Sequence, residues 1–202
     1  LGIERISLAE LIGDPDGWTK ALGDDLKFDG SKLILGQGNA TLAEYTAKKY
    51  RNTQFNFAMK AEVINPDASN AQDAWVGIYL RQNGIGWCWT GNSAAMLDLK
   101  QQLIQYQQFP APVGWSSSVK EDMIRKDIVL EMGRNYQVSV GVYDTKIDGQ
   151  ILLELTLDGN KVYSDMVSET GLFGTDGYFA VSAGVNTRLT LSSPAADFTE
   201  LN

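Results

Sequence analysis

The sequence predicts an all-β fold, a two-sheet antiparallel β-sandwich of the jelly-roll kind, and three observations carry that expectation. Residues 53–64 alternate strictly, with Phe55, Phe57, Met59, Ala61 and Val63 on one face and Asn56, Ala58, Lys60 and Glu62 on the other, the signature of a half-buried antiparallel strand. Short alternating segments recur along the whole chain, punctuated by Asp29-Gly30 and Asp158-Gly159, dipeptides that supply the positive φ of tight hairpins. No helical pattern exceeds two turns and no linker interrupts the 202 residues, so the expectation is one sandwich domain over 1–202.

The elements follow in order. A short strand is expected over 3–8, then a turn at Asp14-Pro15-Asp16-Gly17 that Trp18 closes. Residues 26–35 read as a hairpin, 41–45 as a short strand and 65–73 as a polar loop. The next strand is 74–81, followed by a glycine-rich turn at 82–86 and a partner strand opening with Trp87-Cys88-Trp89. A further hairpin is expected from 95–99 and 102–106, and 109–124 reads as a long irregular loop of the functional sort. Strands follow around 136–143, 151–157, 161–163, 178–185 and 188–191, with 197–201 as a closing strand beside the N-terminal one. Helical turns are admitted only within 41–49 and 119–130.

Composition narrows the chemistry. With 25 acidic against 17 basic residues the net charge is -8, a field that repels phosphate polyanions, so nucleic acid is not an expected partner. No apolar run approaches the ~20 residues of a membrane-spanning helix, so no membrane insertion is expected. The chain contains no histidine and one cysteine, Cys88 between Trp87 and Trp89, which removes Ser-His-Asp and Cys-His catalysis, an internal disulfide and a thiolate zinc site. Beginning at Leu1, the chain reads as a domain processed or excised from a larger secreted protein, with other domains of the same polypeptide as neighbours.

The strand at 74–81 carries the functional expectation. Val76, Ile78 and Leu80 make an ordinary core face, whereas Trp75, Gly77, Tyr79 and Arg81 fall on the other by the period of two. Two aromatics and a guanidinium offer a stacking platform and forked donors, a combination suited to a sugar ring. A covering loop that buries Trp75 and Tyr79 is the alternative. Tyr79, Arg81, Trp87, Trp89 and Trp115, with Glu44 and Tyr45 from a neighbouring strand, are the candidate ligand-binding residues. Removing the Arg81 side chain is expected to weaken sugar binding by roughly 1.5–3 kcal/mol and leave the fold intact. Among ions, a structural calcium is the candidate, with Asp14, Asp16 and Asp197 as oxygen donors; no other cofactor is expected.

From Gly30 onward the order of motifs resembles concanavalin A-like, laminin-G-like sandwich domains, through Tyr50-Arg51-Asn52-Thr53-Gln54-Phe55-Asn56-Phe57, Trp75-Val76-Gly77-Ile78-Tyr79-Leu80-Arg81, Asn135-Tyr136-Gln137-Val138-Ser139-Val140, Leu157-Asp158-Gly159-Asn160-Lys161-Val162 and Gly171-Leu172-Phe173-Gly174. The pattern is similar to that of carbohydrate-binding modules of the fructan-binding type and related sugar-active domains. The resemblance implies that Arg81 and Glu44 line a sugar pocket. Laminarinase-type hydrolases on this architecture carry a Glu-x-Asp-x-x-Glu strand, and the sequence has none; Glu62, Glu131 and Glu154 stand alone in strand-like segments. The expected function is therefore a non-catalytic carbohydrate-binding module, secreted or at the cell surface. A polysaccharide hydrolase or lyase on the same fold is the alternative, with Tyr79 beside Arg81 as the pair able to imitate lyase chemistry, and a structural or adhesive surface module is the third reading.

Overall fold

The computed structural model describes residues 2–23, 25–36, 38–84, 93–100, 103–109, 118–119, 121–128 and 130–195; residues 93–100, 103, 107–109, 118–119 and 121 are described by backbone alone. Its elements are β1 (Glu4–Ser7), α1 (Leu8–Ile12), β2 (Trp18–Leu22), β3 (Leu26–Asp29), β4 (Lys32–Leu35), β5 (Thr41–Tyr50), β6 (Thr53–Val63), β7 (Trp75–Gln82), β8 (Ser93–Lys100), β9 (Leu103–Phe109), β10 (Ser118–Val119), β11 (Asn135–Asp144), β12 (Gln150–Leu157), β13 (Asn160–Ser168), β14 (Gly177–Ala183) and β15 (Thr187–Ser192). Short 3₁₀ turns lie at Pro15–Gly17, Ala71–Asp73 and Glu121–Met123.

Two sheets result. One runs β13-β12-β11-β6-β15-β4-β3 with β1 added in parallel to β6; the other runs β10-β9-β8-β7-β14-β5-β2. They are called here the first and second sheets. The period of two places Phe55, Phe57, Met59, Val138, Val140, Leu153, Leu155 and Leu189 of the first sheet against Ala43, Val76, Ile78, Leu80, Phe179 and Val181 of the second, all buried in one core. Its centre is aromatic. Phe55 and Phe179 meet at 4.5 Å across the sheets, and Trp18 stands edge-on to Tyr45 at 5.5 Å and to Phe179 at 6.5 Å, contacts that add roughly 0.5–1.5 kcal/mol each beyond area burial.

The two expected hairpins with Asp-Gly turns form as read, Asp29↔Lys32 closing one and Leu157↔Asn160 the other. Three expectations are corrected. The N-terminal strand stops at Ser7, whose hydroxyl accepts from the Ala9 amide at 3.3 Å and caps α1, and Leu8, Leu11 and Ile12 are buried at helical spacing. Residues 41–49 admit no helical turn, because β5 continues to Tyr50 and pairs with both β14 and β2. The shift to left-handed backbone at Arg81, φ 51°, ends the alternation of β7 one residue early. The Trp87-Cys88-Trp89 segment, Trp115 and the closing strand at 197–201 lie outside the described residues.

Candidate ligand-binding face

Neighbouring strands bring small and polar side chains together on the outward face of the second sheet. Glu44 of β5 stands opposite Ala180 of β14, which stands opposite Tyr79 of β7; one step along, Ser182 stands opposite Gly77. At two strand spacings of about 4.8 Å, Glu44 and Tyr79 flank the small Ala180 side chain. Glu44 is fully buried, and its Oε1 accepts from Gln82 Nε2 at 2.8 Å. Tyr79 is also fully buried, with its hydroxyl 2.8 Å from Ser182 Oγ. A carboxyl group, a carboxamide, a phenol and a hydroxyl thus lie out of solvent yet outside the aromatic core. Desolvating such groups costs free energy that packing alone does not recover, so they are bonded to one another.

Arg81 is elsewhere, contrary to the expectation that it shares the Tyr79 face. The register of β7 with β14 slips between Tyr79↔Ala180 and Gln82↔Tyr178, so two residues of β7 oppose one of β14. The bulge brings Gln82 to the side of Glu44 and sends the guanidinium across the end of the sandwich to the first sheet. There Arg81 donates through Nε to the Arg51 carbonyl at 3.0 Å, through Nη1 to Asp144 Oδ1 at 3.0 Å and the Leu172 carbonyl at 2.6 Å, and through Nη2 to Asn52 Oδ1 at 3.1 Å. Its side chain and that of Asp144 are each 1% exposed. Gly177 makes the bulge possible, since a Cβ there would fall 2.2 Å from the Arg81 carbonyl carbon.

The same network tunes its members. Burial pushes the Asp144 carboxyl up, but the Gly174 amide, Arg51 and Arg81 outweigh it and hold the group below the usual range. Burial lowers the Arg81 value against the opposing pull of Asp144; a guanidinium stays charged throughout. Arg81 is a clamp between the sheets, and Tyr79 and Arg81 do not form the acid-base pair that lyase chemistry requires.

Tyr45 is corrected as well. Its ring packs in the core against Trp18, and its hydroxyl donates to Asp14 Oδ2 at 2.7 Å. Burial first, then the Asp14 hydrogen bond, push the phenol up to about 12. That bond also occupies an oxygen of Asp14, while Asp16 is exposed on the 3₁₀ turn and Asp197 lies outside the described residues. Among the described residues no group of three or more His, Cys, Asp or Glu side chains gathers around a metal position. Trp75 stays on the outward face, its indole lying over Gly184. Trp87, Trp89 and Trp115 fall outside the described residues. Of the lone strand carboxylates, Glu62 pairs with Lys60 at 3.4 Å and Glu154 with Lys161 at 3.4 Å, whereas Glu131 is exposed.

Gln82 and Ser182 are the site residues that sequence reasoning missed. Gln82 follows Arg81 directly, and only the bulge makes it the partner of Glu44; Ser182 was visible as a polar residue inside the apolar run of β14.

No family model and no curated protein matches the chain. Solved structures do match. The carbohydrate-binding module CBM66 from Bacillus subtilis superposes with a TM-score of 0.61 at 13% identity, over 88% of this chain and 93% of that one. The metal-free carbohydrate recognition domain of Emp46p gives 0.60 at 11% identity, over 87% and 85%. A GH16 enzyme from the mixed-linkage glucan locus of Bacteroides ovatus gives 0.58 at 12% identity, over 88% and 93%. Binding modules, lectin domains and hydrolases share this architecture, so the likeness speaks for fold. The chain is a concanavalin A-like β-sandwich of the jelly-roll type.

Proposed function

We propose that the protein is a carbohydrate-binding module that holds a polysaccharide or oligosaccharide over the outward face of its second sheet and does not cleave it. The observation that carries this reading is the polar cluster beneath that face, Glu44 held by Gln82 at 2.8 Å and Tyr79 paired with Ser182 at 2.8 Å, with the part-exposed Trp75 on the same face; the full burial of Tyr79 is also what a covering loop would give. A carboxyl group oriented by a carboxamide suits vicinal hydroxyls, and the Tyr79–Ser182 pair beside it supplies further hydroxyl groups. Trp75, with Trp87, Trp89 and Trp115, is the proposed source of aromatic platforms. Three of the solved structures that share the fold are described as a carbohydrate-binding module, a carbohydrate recognition domain and a GH16 protein of a mixed-linkage glucan locus in complex with a G4G4G3G product. The proposal includes a secreted or cell-surface setting, with this sandwich as one module of a larger polypeptide.

Acid-base geometry supports the reading of binding without turnover. Glycoside hydrolysis needs two carboxyl groups about 5–9.5 Å apart across the scissile bond. The strands of the second sheet carry two carboxylates, Glu44 of β5 and Asp98 of β8, and Asp98 stands opposite Gly77 of β7; at three strand spacings of about 4.8 Å their backbones lie beyond that range. Incubation with a panel of neutral polysaccharides, followed by measurement of retained protein and released reducing ends, tests both halves. Retention without new reducing ends is expected; release of reducing or unsaturated ends would assign the protein to the hydrolases or lyases instead.

A further inference from the structure

The buried clamp at one end of the sandwich holds a second arginine in place at the mouth of a cavity. Asp144 is engaged by Arg81 through Oδ1 at 3.0 Å and by the Gly174 amide at 3.0 Å, and its Oδ2 accepts from Arg51 Nε at 2.6 Å. Asp144 is 1% exposed, whereas the Arg51 side chain is 47% exposed. Arg51 therefore has its inner edge fixed by a buried carboxylate and its two Nη groups without a hydrogen-bond partner among the described residues. Arg51 lines a cavity of about 400 Å³ together with Lys49, Asn83, Gly174, Thr175 and Asp176. Lys49 has no carboxylate partner among the described residues; its ammonium lies 5.4 Å from the Tyr178 ring centre.

We propose that this cavity is a second binding site, distinct from the Glu44 face, that takes the carboxylate-bearing end of an acidic sugar, a hexuronate. Arg51 presents a forked donor edge that matches a carboxylate in bidentate fashion, and Lys49 adds a second positive charge. Asp176 discriminates the class. Its carboxylate repels a bare inorganic anion but accepts from sugar hydroxyls, and Asn83 offers an amide to the same ring. The volume suits one or two sugar residues rather than an extended chain. The preorganisation is the decisive part. A guanidinium free in solvent loses side-chain entropy on binding, and one braced by Asp144 has lost much of it beforehand. The left-handed backbone at Arg81, φ 51°, is the kind of local strain that persists where the surroundings over-determine it, and here it supports the brace.

Calorimetric titration of the full chain with methyl glucuronide, methyl glucoside and inorganic phosphate tests the assignment. The glucuronide is expected to bind, with the glucoside and phosphate each at least about tenfold weaker. Arg51→Gln is expected to weaken the glucuronide about 10- to 150-fold, the range for hydrogen bonds to a charged group. Because Arg51 also touches Asp144, Lys49→Gln serves as the variant that leaves the brace alone, with a loss of about fivefold or more expected. Asp176→Asn is expected to raise phosphate affinity relative to glucuronide. Phosphate binding as tightly as glucuronide, equal affinity for glucuronide and glucoside, no glucuronide binding, or unchanged affinity in both Arg51→Gln and Lys49→Gln would each overturn the proposal. Retention on neutral polysaccharide reports separately on the Glu44 face. A protein that binds glucuronide through Arg51 and Lys49 but is not retained keeps this site and loses the reading of the face; the opposite result keeps the face and removes this site.

Discussion

The outward faces of the two sheets are built from the same alternating strands, yet they meet different surroundings. On the first sheet β12 alternates between half-buried and buried at every step, and its outward Glu154 accepts from Lys161 at 3.4 Å and Ser164 at 3.0 Å at the surface. On the second sheet β7 is buried at every position after Trp75, and outward Glu44, Tyr79 and Ser182 are fully buried. A carboxylate in solvent costs little wherever it sits, so Glu154 says nothing about function. A carboxyl group out of solvent must be held, and Glu44 is. The central strands of the first sheet bury outward residues too, Asn56 and Ala58 of β6 and Ser139 of β11, so the buried carboxyl group itself, rather than burial or the number of aromatics, is what separates the candidate face from an ordinary one.

Substitutions at matched positions sharpen this contrast. The largest effect is expected at the clamp. Arg81→Ala leaves the buried Asp144 with the half-exposed Arg51 as its remaining counter-charge and strips the Arg51 and Leu172 carbonyls and Asn52 of a donor, and should cost about 3–5 kcal/mol, read as a fall in the urea midpoint. This replaces the expectation that the fold survives the change intact. A midpoint shift below about 1 kcal/mol would show that the inter-sheet bridge is dispensable.

Acid stability isolates the carboxylate of the same bridge. Asp144 has a folded value held below the unfolded one, which is about 3.9. Its contribution is therefore fully present above that unfolded value and is lost as pH falls through the depressed folded value. Urea midpoints measured between pH 7 and pH 2 should fall less steeply in Asp144→Asn than in the parent, from a lower starting stability. Parallel acid limbs would contradict the assignment.

A pair of glycines compares the two faces directly. In each sheet a tyrosine ring lies over the glycine two residues before it: a Cβ on Gly77 would fall 2.9 Å from the Tyr79 hydroxyl and 2.8 Å from Ser182 Oγ, and one on Gly141 would meet the Tyr143 ring and hydroxyl. Tyr79 is fully buried, whereas Tyr143, also buried, keeps 6% of its surface open to solvent. Gly77→Ala should cost about 1–3 kcal/mol because Tyr79 has nowhere to go. Gly141→Ala should cost under about 1 kcal/mol, since Tyr143 swings toward solvent. Equal costs would mean that the outward faces are alike.

Much of the framework was legible because a period of two survives without tertiary context. The β6 alternation and the Asp-Gly hairpins read directly into the sheets. The short helix was legible in principle, since Ser7 followed three residues later by Glu10 is a capping-box spacing ahead of Leu11 and Ile12. Tyr45 as a partner of Glu44 contradicted the period itself, because adjacent strand residues point to opposite faces. Arg81 was not legible. A bulge in β7 depends on the close approach of Gly177 from β14, almost a hundred residues away in sequence, and no local pattern announces it. Its consequence, that Gln82 and not Arg81 stands beside Glu44, needed the fold.

The central claim, that the outward face of the second sheet binds carbohydrate through Glu44, is tested most directly by Glu44→Gln. Retention of parent and variant on the neutral polysaccharide that holds the parent best would be measured together with their urea midpoints. The account predicts that retention falls about tenfold or more while the midpoint moves by less than about 1 kcal/mol, as a near-isosteric change that keeps the packing and alters the hydrogen bonding of the polar cluster beneath the sugar. Undiminished retention by a folded Glu44→Gln variant would contradict it.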